Sequence, residues 1–118
     1  MSPIIKSIFD AYADCHDRGG KRDLNFFCTQ ALSGHELIDL MPMVVPEGYN
    51  AFDAIQSIKP VVEFFGADAK YHIAREGSVC VYIKPAKGNI WLNGRFELPS
   101  CDEFSFCCEK QMFRVWWD

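Results

Sequence analysis

The hydrophobic positions of the chain change period once, near residue 67. Before that point the spacing is helical. Residues 3–18, PIIKSIFDAYADCHDR, set Ile5, Ile8, Phe9, Tyr12 and Cys15 or His16 on one stripe, with Ser2 as N-cap, Pro3 in the first turn and Gly19-Gly20 as the stop. Asp23 can cap a second helix through Leu24, Phe27 and Ala31, which Ser33-Gly34 would end. HELIDLMPM, broken by Pro42, reads as a short extended segment. A third helix, capped by Asn50 with Asp53 in its first turn, carries Phe52, Ile55, Ile58, Val62 and Phe65 at core spacing, and Pro60 predicts a kink or break within it.

After residue 67 the period is two. AKYHIAR, SVCVYIK, RFELPSCDEFSFCC and MFRVWW alternate, separated at Glu76-Gly77, by the stretch from Ala86 to Gly94 and at Glu109-Lys110-Gln111, which predicts an antiparallel meander. Val79, Val81 and Ile83 form one inward face. Phe96, Leu98, Ser100, Asp102, Phe104 and Phe106 form another, provided the strand stays regular through Pro99. Helices first and a sheet last make an α+β domain, residues 1–118, with neither repeat nor linker.

Composition narrows the partners. A chain of 118 residues can bury about two-thirds of its unfolded surface around one core. Twelve basic against sixteen acidic residues, a net charge of -4, leave no basic stripe for a phosphate backbone, so nucleic acid is not an expected partner. Nor is a membrane, because no run reaches the roughly 18 apolar residues a span needs. The N-terminus lacks the pattern of a secretory leader, so a cytoplasmic protein with free thiols is expected. The six cysteines form no C-x-x-C pair, and neither metal nor cofactor is expected. Ten phenylalanines are many for this length; they can be core, or they can wall an apolar cavity.

Three stretches, in their shared order, resemble the NTF2-like superfamily, specifically its SnoaL-like and ketosteroid-isomerase-like members. GRFELPSCDEFSFCCEKQMFRVWWD is similar to that group's closing strands, AYADCHDRGGKRDL to its first helix, and MPMVVPEGYNAFDAI to the loop and helix start of limonene-epoxide-hydrolase-like members. The resemblance implies a cone: three N-terminal helices packed on a curved antiparallel sheet that encloses an apolar pocket. It also implies a homodimer through the outer sheet face, for which Tyr82, Trp91 and Trp116 or Trp117 would be anchors.

The same resemblance implies a site. Asp39 falls near the family's general base, while Tyr12 and Asp102 match its two oxyanion donors. The chemistry would be proton transfer on an apolar, ring-sized substrate. Such a site keeps one carboxylic acid protonated by apolar surroundings, as ketosteroid isomerase does. Phe9, Phe27, Met41, Phe65, Val81, Ile83, Phe96, Leu98, Phe104 and Phe106 would line the pocket. The epoxide-hydrolase chemistry is disfavoured, since Lys84-Pro85-Ala86 stands where those members place an Arg-x-Asp pair.

Plainer readings accompany each residue. Tyr12 also reads as a core tyrosine with its hydroxyl at the surface, and Asp39 as a turn or capping acid. A bulge at Pro99 would swap faces and turn Asp102 to water. His72 also reads as a satisfied core histidine. Without the catalytic groups, the same fold would bind an apolar small molecule or a protein partner without chemistry.

Overall fold

The structure is a computed structural model; it describes Lys6, Asp10 and residues 25–45, 53–86 and 101–117. Lys6 and Asp10 are helical and joined by an i, i+4 ion pair of 2.9 Å, within the stretch the sequence assigns to the first helix. The remaining elements run β1 (Phe26–Phe27), α1 (Gly34–Val44), α2 (Ala54–Phe65), β2 (Lys70–Arg75), β3 (Val79–Lys84), β4 (Glu103–Cys107) and β5 (Met112–Trp116). The class is α+β.

Two expectations on the helical side change. Phe26 and Phe27 do not belong to a helix; they pair with Arg75 and Ala74 of β2 as a short strand. Ser33-Gly34 starts a helix rather than ending one. The Ser33 hydroxyl accepts from the Glu36 amide at 3.2 Å, and the Glu36 carboxylate accepts from the Ser33 amide at 2.9 Å, so a full capping box opens α1. That box, with Leu37, Leu40, Met41 and Val44 buried along one face, outweighs the amide lost at Pro42, which lies on the solvent side. The sequence predicts three N-terminal helices with an extended segment after the second; the described residues show two complete helices, and the first of them, α1, takes the place of the extended segment.

The other helix keeps its expected core positions at Ile58, Val62 and Phe65 but starts later, with a different cap. Asp53, not Asn50, is the N-cap of α2, and the helix continues through Pro60 without a break. Ser57, Ile58, Val61, Val62 and Phe65 bury its inner face, and that burial outweighs the single missing ladder bond.

The five strands among the described residues order β1-β2-β3-β5-β4, every pair antiparallel. This corrects the meander: the last strand inserts between β3 and β4 instead of adding at the edge. The hairpin between β2 and β3 turns at Glu76-Gly77-Ser78 as expected, with Gly77 at φ 72 supplying the left-handed residue. The turn before β5 holds Gln111 at φ 56.

Alternation then sorts the sheet into two faces. Tyr71, Ile73, Val79, Val81, Ile83, Phe113, Val115 and Trp117 point toward α1 and α2 and share one core with their buried residues. Ala74, Cys80, Tyr82, Met112 and Trp116 occupy the opposite face with Phe27 and Cys107. As expected from their alternation, the two tryptophans part: Trp117 is buried among the helices and Trp116 is half-buried on the far side.

Gly34 marks the tightest approach between layers. Its amide donates to the Ala67 carbonyl at 3.0 Å, and a Cβ there would meet Val62 Cγ1 at 2.7 Å and Ala67 Cα at 2.9 Å. Backbone cannot yield as a side-chain tip can. Gly34→Ala is therefore expected to cost about 1–3 kcal/mol, and Ser33→Ala about 1 kcal/mol, both read as lowered midpoints in urea denaturation with unchanged slope.

Candidate functional site

The two proposed acids lie apart from the core. Asp39 stands on the exposed face of α1, and Asp102 is exposed in the bend that precedes β4. Its backbone amide donates to the Trp116 carbonyl at 3.0 Å, so the chain is already paired with β5 there, but regular alternation begins only at Glu103. Tyr12, Phe9, Phe96 and Leu98 lie outside the described residues, as does Trp91. Phe27 sits on the sheet face opposite the helices, away from the other pocket candidates.

Phe65, Phe104 and Phe106 are brought together, and the residue that joins them is Phe113. Its ring centre lies 5.4 Å from Phe65, 5.5 Å from Phe104 and 5.2 Å from Phe106. Phe104 stacks on it nearly parallel, at 14°, while Phe106 meets it edge-on at 75°. Phe64 adds a fifth ring, edge-on to Phe65 at 4.9 Å. The register explains the gathering: Phe106 pairs with Phe113 across β4 and β5, and Phe104 with Val115. Met41, Val81 and Ile83 lie wholly buried in the same core. The cluster opens at one end. Phe106 is 42% exposed, and Phe104 and Phe64 are half-buried.

The opposite face is polar at its centre. Glu76, in the β2–β3 turn, accepts from Tyr82 Oη and from Arg114 Nε at 2.7 Å, and its backbone carbonyl accepts from Trp116 Nε1 at 2.8 Å. Arg114 also donates to Glu103 at 3.1 Å. Burial pulls the Arg114 guanidinium down, but the bond and charge of Glu76 outweigh it and hold the group above its usual value. Tyr82, 4% exposed, is consumed within its own chain, which removes it as an exposed dimer anchor. His72 is the satisfied histidine of the plainer reading: it is buried, and its Nδ1 donates to the Cys28 carbonyl at 3.0 Å.

Sequence reasoning missed Phe64, Phe113, Glu76 and Arg114. Phe113 and Arg114 are legible as alternating positions of MFRVWW; the sequence marks Glu76 only as a turn residue. Among the described residues no group of three or more His, Cys, Asp or Glu side chains is placed to hold a metal, and no helix is long and apolar enough to cross a membrane. Compared with known proteins, the chain matches no family model, no curated protein and no solved structure.

The described cysteines, at 28, 80, 101, 107 and 108, are free thiols. Burial pushes Cys28 up to about 11. Burial, then the Glu76 charge, pushes Cys80 up to about 12 against the opposing pull of Arg114. Thiolate is the reactive form. A thiol reagent at pH 8 is expected to label exposed Cys108 within seconds to minutes and Cys28 and Cys80 only on unfolding, resolved by peptide mass mapping.

Tyr71 and Tyr82 are likewise held above the usual phenol value, both by burial and Tyr82 also by its bond to Glu76. All four groups hold their protons more tightly when folded, so the stability they contribute is complete below the unfolded thiol value, about 8.5. It is lost as pH rises through the folded values. Urea midpoints are expected to be level from pH 7 to 8 and to fall steadily from pH 9 to 11, with a smaller fall in Cys80→Ala.

Proposed function

We propose that this chain is a non-catalytic binding domain of the NTF2-like kind, which holds an apolar, ring-bearing small molecule at the open end of its phenylalanine cluster. The observation that carries this reading is the gathering of five phenylalanines, Phe113 at their centre, with Phe106 left exposed at the edge. A flat ring laid on Phe104 and Phe106 would repeat the stacked and edge-on contacts the cluster already makes, worth about 0.5–1.5 kcal/mol per ring beyond the area buried.

Proton-transfer chemistry needs its acid inside such a site, where water is excluded and the carboxyl stays neutral. Asp102 and Asp39 are both exposed, which favours binding over catalysis. Free thiols in every described cysteine suit the reducing interior of a cell.

Calorimetric titration with a panel of steroids, monoterpenes and naphthalenes tests the reading. At least one class is expected to bind, Phe106→Ala to weaken it about tenfold, and Asp39→Asn and Asp102→Ala to bind like the parent. The recovered ligand should be chemically unchanged. Conversion of the ligand, lost in either aspartate variant, would establish the enzyme instead.

A further inference from the structure

We propose that the sheet face opposite the helices carries a second site, for a trimethylammonium group on a small molecule, and that Lys110 fills this site in the free protein. The Lys110 ammonium lies 4.4 Å from the centre of the Phe27 ring and 5.5 Å from that of Tyr82. The two rings are 5.3 Å apart and meet at 76°. One ammonium over one ring is a common surface contact; one ammonium shared by two nearly perpendicular rings has the geometry of an aromatic cage for a cation.

Both walls are held without help from Lys110. Phe27 stacks on His72 at 5.2 Å and 17°, and His72 is fixed by its bond to the Cys28 carbonyl. Tyr82 is fixed by its hydroxyl bond to Glu76. The negative carboxylate at the far end of that phenol enriches the ring facing the cation. The cage is therefore preformed, which lowers the cost of filling it.

Lys110 itself is a replaceable occupant. It is exposed and belongs to the turn 108–111 between β4 and β5, so swinging outward breaks no strand pairing. Its primary ammonium is strongly hydrated and gives up water to sit against the rings. A trimethylammonium group holds water weakly and presents methyl surface to the same rings, and the chain's net charge of -4 draws cations toward it. The site shares no residue with the phenylalanine cluster, so either can fail alone.

Choline, titrated at constant ionic strength and followed by the NMR shifts of the Phe27 and Tyr82 rings, tests the proposal. Its uncharged isostere, 3,3-dimethyl-1-butanol, and sodium chloride serve as controls. Choline is expected to move both rings saturably, Lys110→Ser to tighten it about tenfold, and Phe27→Leu to weaken it about tenfold. The isostere and the salt should leave the rings unmoved. Equal binding of the isostere, or a Lys110→Ser affinity equal to or weaker than the parent's, would overturn the proposal. Because Lys110 is exposed, that variant keeps the fold and its result stands even if Phe27→Leu fails to fold.

Discussion

Phe113 and Arg114 are neighbours in sequence and face opposite sides of the sheet, and most of what is particular to this molecule hangs from them. β5 lies between β3 and β4, so each of its side chains has a strand on either hand. Phe113 pairs with Ile83 on one side and Phe106 on the other; Arg114 pairs with Tyr82 and Ser105. Insertion of that one strand makes Phe113 the hub of the aromatic cluster and brings Arg114 to Glu76. At the edge of the sheet, β5 would supply neither.

Glu76 is the counterpart on the polar face. Its carboxylate takes one bond from Tyr82 and one from Arg114, and its carbonyl one from Trp116, so a turn residue ties β2, β3 and β5 together. Hydrogen bonds to a charged group contribute about 1.5–3 kcal/mol each, more than a neutral pair. The Glu103 arm is weaker by the same reasoning. Its carboxylate is largely in water, where an ion pair adds under about 1 kcal/mol. The network thus fixes geometry chiefly through Glu76, and with it the orientation of the Tyr82 ring.

Local chemistry made much of this readable. Val79, Val81 and Ile83 alternate, and they face the helices; Glu76-Gly77 reads as a turn, and Gly77 takes the positive φ such a turn requires. The errors share a cause. Pro42 and Pro60 argue against helices locally, yet both helices persist because an apolar face is buried along each. The S-x-x-E box at Ser33 was present in the sequence and outranked Pro42. Periodicity identifies strands but not their neighbours, so the place of β5 was hidden. Asp102 illustrates the limit at the site: it has the parity of Phe104, but parity places a side chain only within a regular strand, and β4 begins one residue later.

The two faces differ in kind. One gathers phenylalanines and opens at Phe106; the other surrounds a carboxylate with donors and sets a lysine against two rings. Neither brings the two described candidate acids inside, which favours binding over proton transfer. Binding at the phenylalanine cluster is read most directly from intermolecular nuclear Overhauser effects between a bound ring compound and the protein. Contacts from ligand ring protons to Phe104, Phe106 and Phe64 are the expected result. Contacts centred instead on the β-methylene protons of Asp39 or Asp102 would contradict it.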